Sequence, residues 1–243
     1  MYITYFDDKR VTENALKTKV NKLSPYRKSI ESHHTANNSE VSEYSLYYAQ
    51  DYDLQETLST IKKNYKGVKH LILLGIGGSS LGLEAVHSVL NDKKVTLSIL
   101  DTVSANSLND VLSDIKKLKK VSQIAICVIS KSGNTTETLA NASILLAELE
   151  TQFSADIYKQ TFFIGDKNTD LAKYAKKVSA TYISIPSIIG GRYSMATAVG
   201  LVPMAILGYD TDEFISGYLD ASKEQYEVIT ADSAARISLY YQN

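Results

Sequence analysis

From residue 68 onward the chain repeats one pattern, a short apolar run followed by a longer stretch whose apolar residues have helical spacing. Such runs predict buried strands, and the stretches between them predict helices. Strands alternating with helices of this length indicate a doubly wound α/β fold, a parallel sheet flanked by helices on both faces. The predicted strands are 70–75, 95–100, 123–129, 161–165 and 181–185, and the predicted helices are 79–91, 106–119, 135–151 and 168–177.

The first strand runs into a glycine turn and a helix in the stretch LILLGIGGSSLGLEAV, residues 71–86. This layout directs backbone N–H groups and the positive end of a helix dipole at an anion. A P-loop is excluded because no Lys-Ser or Lys-Thr pair follows the glycines. A dinucleotide fingerprint stays open: Gly75 and Gly77 match it, Ser80 occupies its third glycine position, and Asp101 ends the second strand as a ribose-binding acid would. The third interpretation is that the glycines only permit a tight turn between strand and helix.

The third strand runs into a second loop of similar design, in ICVISKSGNTTETLANASILLAEL, residues 126–149. Four hydroxyls fall within seven residues at the start of the following helix, whereas a helix cap needs only one. Right-handed crossovers place the loops after all strands along one edge of the sheet, so both loops can face one ligand. We therefore predict a single phosphate held by neutral donors from both loops. Lys131 either adds charge there or is simply solvated.

A third stretch, IIGGRYSMATAVGLVPMAILG, covers residues 188–208. Its two glycines permit close backbone approach, and Arg192 follows them immediately. That arginine either forms a salt bridge at an interface or presents a fixed positive charge to a developing oxyanion. A mostly apolar helix is predicted from Ser194, with a kink at Pro203. We expect a second domain or a partner subunit to cover part of this helix.

The ends of the chain have a different character. Residues 1–66 predict a helical arm with a polar loop at 33–42, residues 211–229 predict an amphipathic helix, and 231–243 resemble the opening of another. His33 and His34 are adjacent, which does not suit a shared metal, and we read them as a solvated pair. Two helices are predicted in the arm from apolar residues at helical spacing. These residues are Val20, Leu23 and Ile30 in the first helix and Leu54, Leu58 and Ile61 in the second.

Composition excludes several classes of function. With a net charge of −1 over 243 residues, the chain gives no argument for binding nucleic acid or an anionic membrane. Its one cysteine, Cys127, lies in an apolar run and cannot form an internal disulfide, which is compatible with a reducing compartment. No histidine stands at metal-ligand spacing with another histidine or the cysteine. No signal-peptide core or membrane-spanning run is present, so we expect a soluble, cytoplasmic protein.

Three motifs together resemble the phosphoglucose isomerase family: LGIGGSSLG, SKSGNTTET at 130–138 and IGGRYSMATAVGL at 189–201. The resemblance implies a sugar isomerase (SIS) domain, a five-stranded parallel sheet between helices. It also implies the interconversion of glucose 6-phosphate and fructose 6-phosphate in glycolysis and gluconeogenesis. No metal or organic cofactor would be needed, and the intact protein would be a homodimer.

By motif, the resemblance assigns the substrate phosphate to the two loops and stabilisation of a cis-enediol intermediate to the arginine. The residues so assigned are Gly78, Ser79, Ser130, Lys131, Ser132 and Thr135 for the phosphate, and Arg192 for the enediol.

The family also uses a glutamate base, a histidine and a lysine, in motifs that follow GGRYS and do not occur before Asn243. We therefore expect an N-terminal half that binds sugar phosphate without isomerising it. Its parts would be a helical arm at 1–66, an SIS domain at 67–190 and a segment at 191–243 leading into a second SIS domain. The alternative is a non-catalytic sugar-phosphate-binding SIS module, and a dinucleotide-binding oxidoreductase is a third candidate.

Overall fold

A computed structural model describes residues 8–35, 45, 47–90, 94–221 and 233–241 of the chain. Its strands are β1 (His70–Leu74), β2 (Thr96–Leu100), β3 (Ile124–Ile129), β4 (Thr161–Gly165) and β5 (Thr181–Ser184). Its helices are α1 (Glu13–Thr35), α2 (Tyr52–Asn64), α3 (Leu81–Leu90), α4 (Ala105–Ile115), α5 (Thr136–Phe153), α6 (Asp170–Lys177), α7 (Ala198–Leu207), α8 (Thr211–Ala221) and α9 (233–240).

All five strands pair in parallel in the order β2-β1-β3-β4-β5, which confirms the predicted fold class. The chain goes outward from β1 to β2 and then crosses back to β3 on the other side of β1. In open sheets of this kind, ligands bind outside the carboxyl ends of the strands, at the point where the strand order reverses. Here that point lies between β1 and β3, whose following loops carry the first two motifs.

Alternate residues of the central strands face two separate apolar layers. Leu71 and Leu73 of β1 pack in the layer under α2, α3 and α7, while Ile72 and Leu74 pack in the layer under α4, α5 and α6. Since both faces are covered, β1, β3 and β4 are buried along their whole length and read as continuous apolar runs. The edge strands β2 and β5 are partly exposed.

The expectation that α7 needs a second domain or a partner subunit for cover is wrong. Every residue of Ala198–Leu207 is buried. Its neighbours are α2, α3, α8 and the strands β1 and β3, and the apolar residues of α2 lie in the same core layer. The helix also begins later than Ser194, because the Thr197 hydroxyl accepts the Val199 N–H and caps it there.

Outside the sheet, the predictions are met in part. Helix α1 continues through Pro25 into the start of the predicted loop at 33–42, whose later residues lie outside the described ones. The predicted helix at 211–229 is present to residue 221, and 222–229 lie outside the described part of the chain. Among the described helices, none is long and apolar enough to cross a membrane.

Candidate functional site

The first loop leaves β1 through Gly75 and turns in a short 3-10 segment, Gly77–Ser79, before α3. Gly77 has φ +58, the left-handed region that favours glycine. The N–H of Ser79 donates to the Ile76 carbonyl at 3.1 Å, and the N–H of Ser80 donates to the Gly77 carbonyl at 3.0 Å. Those two amides are therefore used within the turn, and an anion would have to use the remaining glycine amides and the half-exposed Ser79 hydroxyl.

The two loops begin next to each other. A Cβ built on Gly75 would lie 3.3 Å from the carbonyl oxygen of Ile129, the last residue of β3. The strands themselves are paired directly, with Leu74 opposite Val128. Both loops consequently start side by side at the carboxyl edge of the sheet, as a shared ligand requires.

The second loop is organised by its own hydroxyls. Ser130 is 1% exposed, its Oγ lies 2.8 Å from Thr135 Oγ1, and it also receives the Thr135 N–H at 3.4 Å. Ser132 is exposed, and its Oγ accepts the Asn134 N–H at 3.3 Å. Gly133, at φ +68, provides the sharp turn between them. Ser130 thus holds the loop together from inside, while the Ser132 hydroxyl is open to a ligand.

Helix α5 starts at the end of this loop without a side-chain cap. Thr135 occupies the N-cap position with an extended backbone, but it makes no capping hydrogen bond. The first amides of an 18-residue helix have no partner within the helix, and the helix dipole adds a partial positive charge there. This end of α5 therefore suits an anion.

The third motif is packed directly on the first loop. Gly191–Tyr193 form a 3-10 turn, and a Cβ on Gly78 would lie only 2.3 Å from the Gly191 carbonyl carbon. The buried Ser194 hydroxyl donates to the Gly191 carbonyl at 2.6 Å and lies 3.3 Å from the Gly78 carbonyl. The three predicted motifs are therefore neighbours through backbone contacts, which brings Arg192 to the glycine turn.

Met195 reinforces this packing. Its sulfur lies 2.7 Å from where a Cβ of Gly82 would stand and 2.5 Å from where a Cβ of Gly200 would stand. The side chain is thus held between α3 and α7 by two helical glycines. Sequence reasoning missed this contact and the role of Ser194, although glycines inside two predicted helices were a visible signal of close approach.

Two positive side chains of the predicted motifs belong to this edge of the sheet. Arg192 is exposed and Lys131 is half-buried, and neither forms an ion pair with another residue in the described ranges. The salt-bridge interpretation of Arg192 thus has no partner among those residues. Cys127 behaves as core: it is fully buried, and burial raises the pKa of its thiol. Asp101 follows β2 and is exposed.

The sheet order and the loop geometry define a doubly wound α/β protein whose candidate site lies where the strand order reverses. The sequence profile of the phosphoglucose isomerase family matches residues 6–230. This chain belongs to the phosphoglucose isomerase family.

Curated relatives named glucose-6-phosphate isomerase agree with that assignment. The protein of Campylobacter jejuni is 32% identical over 168 residues, covering 68% of this chain and 40% of its own length. That of Clostridium perfringens strain SM101 is 33% identical over 218 residues, covering 78% of this chain and 46% of its own length. The chain therefore spans less than half the length of these relatives.

Two solved structures share the fold. A hypothetical protein of Thermus thermophilus superposes with a TM-score of 0.72 at 24% identity, over 93% of this chain and 55% of its own. A glucose-6-phosphate isomerase of Chlamydia trachomatis superposes with a TM-score of 0.64 at 18% identity, over 87% of this chain and 46% of its own. At these identities the likeness is one of fold.

Proposed function

We propose that this chain supplies the phosphate-binding half of an aldose–ketose isomerase site for glucose 6-phosphate and fructose 6-phosphate. One observation carries the proposal. The loops after β1 and β3 start side by side where the strand order reverses, and the GGRYS turn packs on the first of them. Family membership supplies the substrate class.

In this proposal the phosphate is bound by donors from both loops. The Ser79 and Ser132 hydroxyls and the uncapped amides of α5 contribute, with Gly78 allowing close approach and Lys131 adding charge. Buried Ser130 and its partner Thr135 support the phosphate site by fixing the loop. Neutral donors at a helix start hold a phosphate well without a cluster of basic residues.

Arg192 has the other role, stabilisation of negative charge on an enediol-like intermediate. That charge develops only after a base has removed a proton from carbon, and a positioned base typically contributes about 10²–10⁴-fold. The family's glutamate, histidine and lysine motifs are not found in the sequence. We therefore propose that the 243-residue chain binds sugar phosphate without measurable isomerisation.

A non-catalytic sugar-phosphate-binding module is the second candidate. The two candidates differ at Arg192, which such a module does not need for the phosphate. In an isomerase half, Arg192→Ala should weaken binding of an enediolate-like hydroxamate sugar phosphate far more than binding of inorganic phosphate. Equal effects on the two ligands would favour the module.

The domain division stays a proposal, with a helical arm at 1–66, an SIS domain at 67–190 and a following segment at 191–243. Homodimer formation by the intact protein and a cytoplasmic location also belong to it, on the strength of the family resemblance. Sedimentation at several concentrations tests the oligomeric state.

Calorimetry with glucose 6-phosphate and a coupled assay for fructose 6-phosphate test the proposal. Ser132→Ala should weaken binding by about 0.5–3 kcal/mol, the range from neutral to charge-assisted hydrogen bonds. Ser143→Ala is a matched control, since Ser143 is an exposed serine on α5 that bonds only within its helix. Undetectable binding by the unsubstituted chain would refute the proposed site, and robust turnover would refute its inactivity.

A further inference from the structure

Behind the second loop lies a group of three residues, Asp166, Thr169 and Tyr182, which we name the Asp166 brace. Asp166 directly follows β4, and its N–H donates to the Lys131 carbonyl at 3.0 Å. One residue earlier, the backbone is equally close: a Cβ on Gly165 would lie 2.3 Å from the Ser130 carbonyl oxygen. The end of β4 thus fixes the main chain at the start of the loop.

Two hydroxyls fix Asp166 in turn. Its carbonyl accepts the hydroxyl of Tyr182 from the edge strand β5 and the hydroxyl of Thr169 at 2.9 Å. Thr169 Oγ1 also accepts the Ala172 N–H at 3.2 Å, which caps α6. The carbonyl of Asp166 therefore joins β5 and the start of α6 to the residue whose N–H holds the Lys131 carbonyl.

The Thr169 side chain also touches the loop directly. A Cβ on Gly133 would lie 2.5 Å from Thr169 Cβ and 3.0 Å from its methyl group. Gly133 is the residue at φ +68 that turns the loop between Ser132 and Asn134. Thr169 is therefore close-packed against Gly133 and limits how far this turn can move.

We propose that Tyr182 and Thr169 are positioning residues that hold the 130–136 loop in the conformation that binds phosphate. The inference rests on the proposed function, because it concerns the affinity of that site. Neither residue belongs to the three motifs, and both act through backbone atoms. Burial raises the pKa of Tyr182, so its hydroxyl keeps the proton that it donates to the Asp166 carbonyl.

The test uses two brace variants and two matched controls. Tyr182→Phe and Thr169→Val each remove one hydroxyl from the brace. Tyr65→Phe removes a tyrosine hydroxyl that donates to the Lys159 carbonyl at 3.2 Å. Thr161→Val removes a threonine hydroxyl that donates to the Ile157 carbonyl at 2.9 Å. Both controls break the same kind of bond near the opposite edge of the sheet.

Three quantities are measured on every variant: the Kd for glucose 6-phosphate, the urea midpoint of unfolding, and hydrogen exchange of the amides of residues 131–136. We expect each brace variant to raise the Kd about two- to tenfold, the effect of one lost hydrogen bond. Exchange in the loop should accelerate as well. The controls should shift the urea midpoint similarly and leave the Kd within about twofold of the original. Thr169→Ser, which keeps the hydroxyl, should restore most of the affinity.

Unchanged affinity in both brace variants, or equal losses in brace and control variants, would overturn the inference while leaving the proposed function intact. If the unsubstituted chain binds no sugar phosphate, the proposed function fails instead. Loop exchange then decides on the brace alone: faster exchange confined to Tyr182→Phe and Thr169→Val supports it, and unchanged exchange refutes it.

Discussion

The two loops at the carboxyl edge of the sheet have similar sequences of small and hydroxyl residues, but they are held in different ways. The first loop is fixed by backbone packing, with Gly78 pressed against Gly191. The second is fixed by hydrogen bonds, from Ser130 inside the loop and from Thr169 and Tyr182 behind it. The Gly78 side of this backbone contact has no room for an added atom, whereas a hydrogen-bonded loop can lose one bond and keep its shape. An added atom at Gly78 should therefore disrupt the first loop, whereas loss of one hydroxyl should only weaken the second.

The largest effect is expected at Gly78. A Cβ there would lie 2.3 Å from Gly191 backbone atoms that cannot move without displacing the third motif. Gly78→Ala should lower the free energy of unfolding by about 3 kcal/mol or more, as for severe overpacking. Gly191→Ala is the control, because its Cβ would meet only Gly78 Cα at 3.8 Å, an ordinary contact. Equal costs in urea denaturation would contradict the packing argument.

Gly133→Ala should have the next largest effect on the free energy of unfolding. Comparison with Gly77→Ala separates the cost of a positive φ from the cost of the contact with Thr169. Both glycines have positive φ, which costs another residue roughly 1–2 kcal/mol. Only Gly133 also faces a neighbour, since a Cβ on Gly77 meets nothing within 4 Å. We expect Gly133→Ala to cost clearly more than Gly77→Ala, because only at Gly133 would the added Cβ meet the Thr169 side chain. Identical unfolding free energies in the two single variants would show that Thr169 does not restrain the loop.

Substitutions of the two serines of the second loop should affect different properties, stability for Ser130 and ligand affinity for Ser132. Ser130→Ala removes a buried hydroxyl bonded to Thr135 and should cost about 1–2 kcal/mol of stability. Ser132→Ala removes an exposed hydroxyl and should change stability by no more than about 0.5 kcal/mol. If the proposed phosphate site is correct, Ser132→Ala should lower ligand affinity instead. A Ser132 variant as unstable as the Ser130 variant would reverse these roles.

The last effect concerns the amino-terminal edge of the sheet, at the opposite end of the strands from both loops. His70 is 4% exposed, its Nε2 lies 2.8 Å from Ser98 Oγ, and burial lowers its pKa from the ordinary 6.5. Below pH 6.5 the unfolded chain therefore binds a proton that the folded chain resists. Stability should fall with decreasing pH, by at most about 1.4 kcal/mol per pH unit.

His70→Gln is the check on that pH dependence, measured as urea unfolding between about pH 7 and 5. In this variant, the free energy of unfolding should depend less steeply on pH, because the contribution of His70 is absent. An unchanged slope would assign the dependence to other groups.

Much of the fold could be predicted because its strands are buried on both faces. A short, continuous apolar run such as Leu71–Leu74 is typical of a strand buried on both faces. Both boundaries of each predicted strand lie within one residue of the observed boundaries. Helix boundaries that depend on a single polar atom are harder to predict. The start of α7 depends on a hydrogen bond that the Val199 N–H donates to the Thr197 hydroxyl, and nothing in an apolar pattern reveals it.

The cover of α7 was mispredicted for a related reason. An apolar helix shows in sequence that it needs neighbours, but not which ones. The neighbour α2 comes from the predicted arm, more than a hundred residues earlier in the chain. The Asp166 brace was equally hidden, because its central bond uses a main-chain carbonyl that every residue type possesses. Motifs identify groups that can touch a ligand; they do not identify the backbone that holds those groups.

The Ser194–Gly78 contact also sets when this edge of the sheet can form during folding. It joins residues 116 positions apart, and the chain between them includes four of the five strands. Closing so long a loop costs entropy that is recovered only once the intervening parallel strands have paired. We therefore expect refolding to produce the sheet first and the Gly78–Gly191 contact late. Affinity for a phosphate ligand would then return more slowly than the circular dichroism signal of the helices.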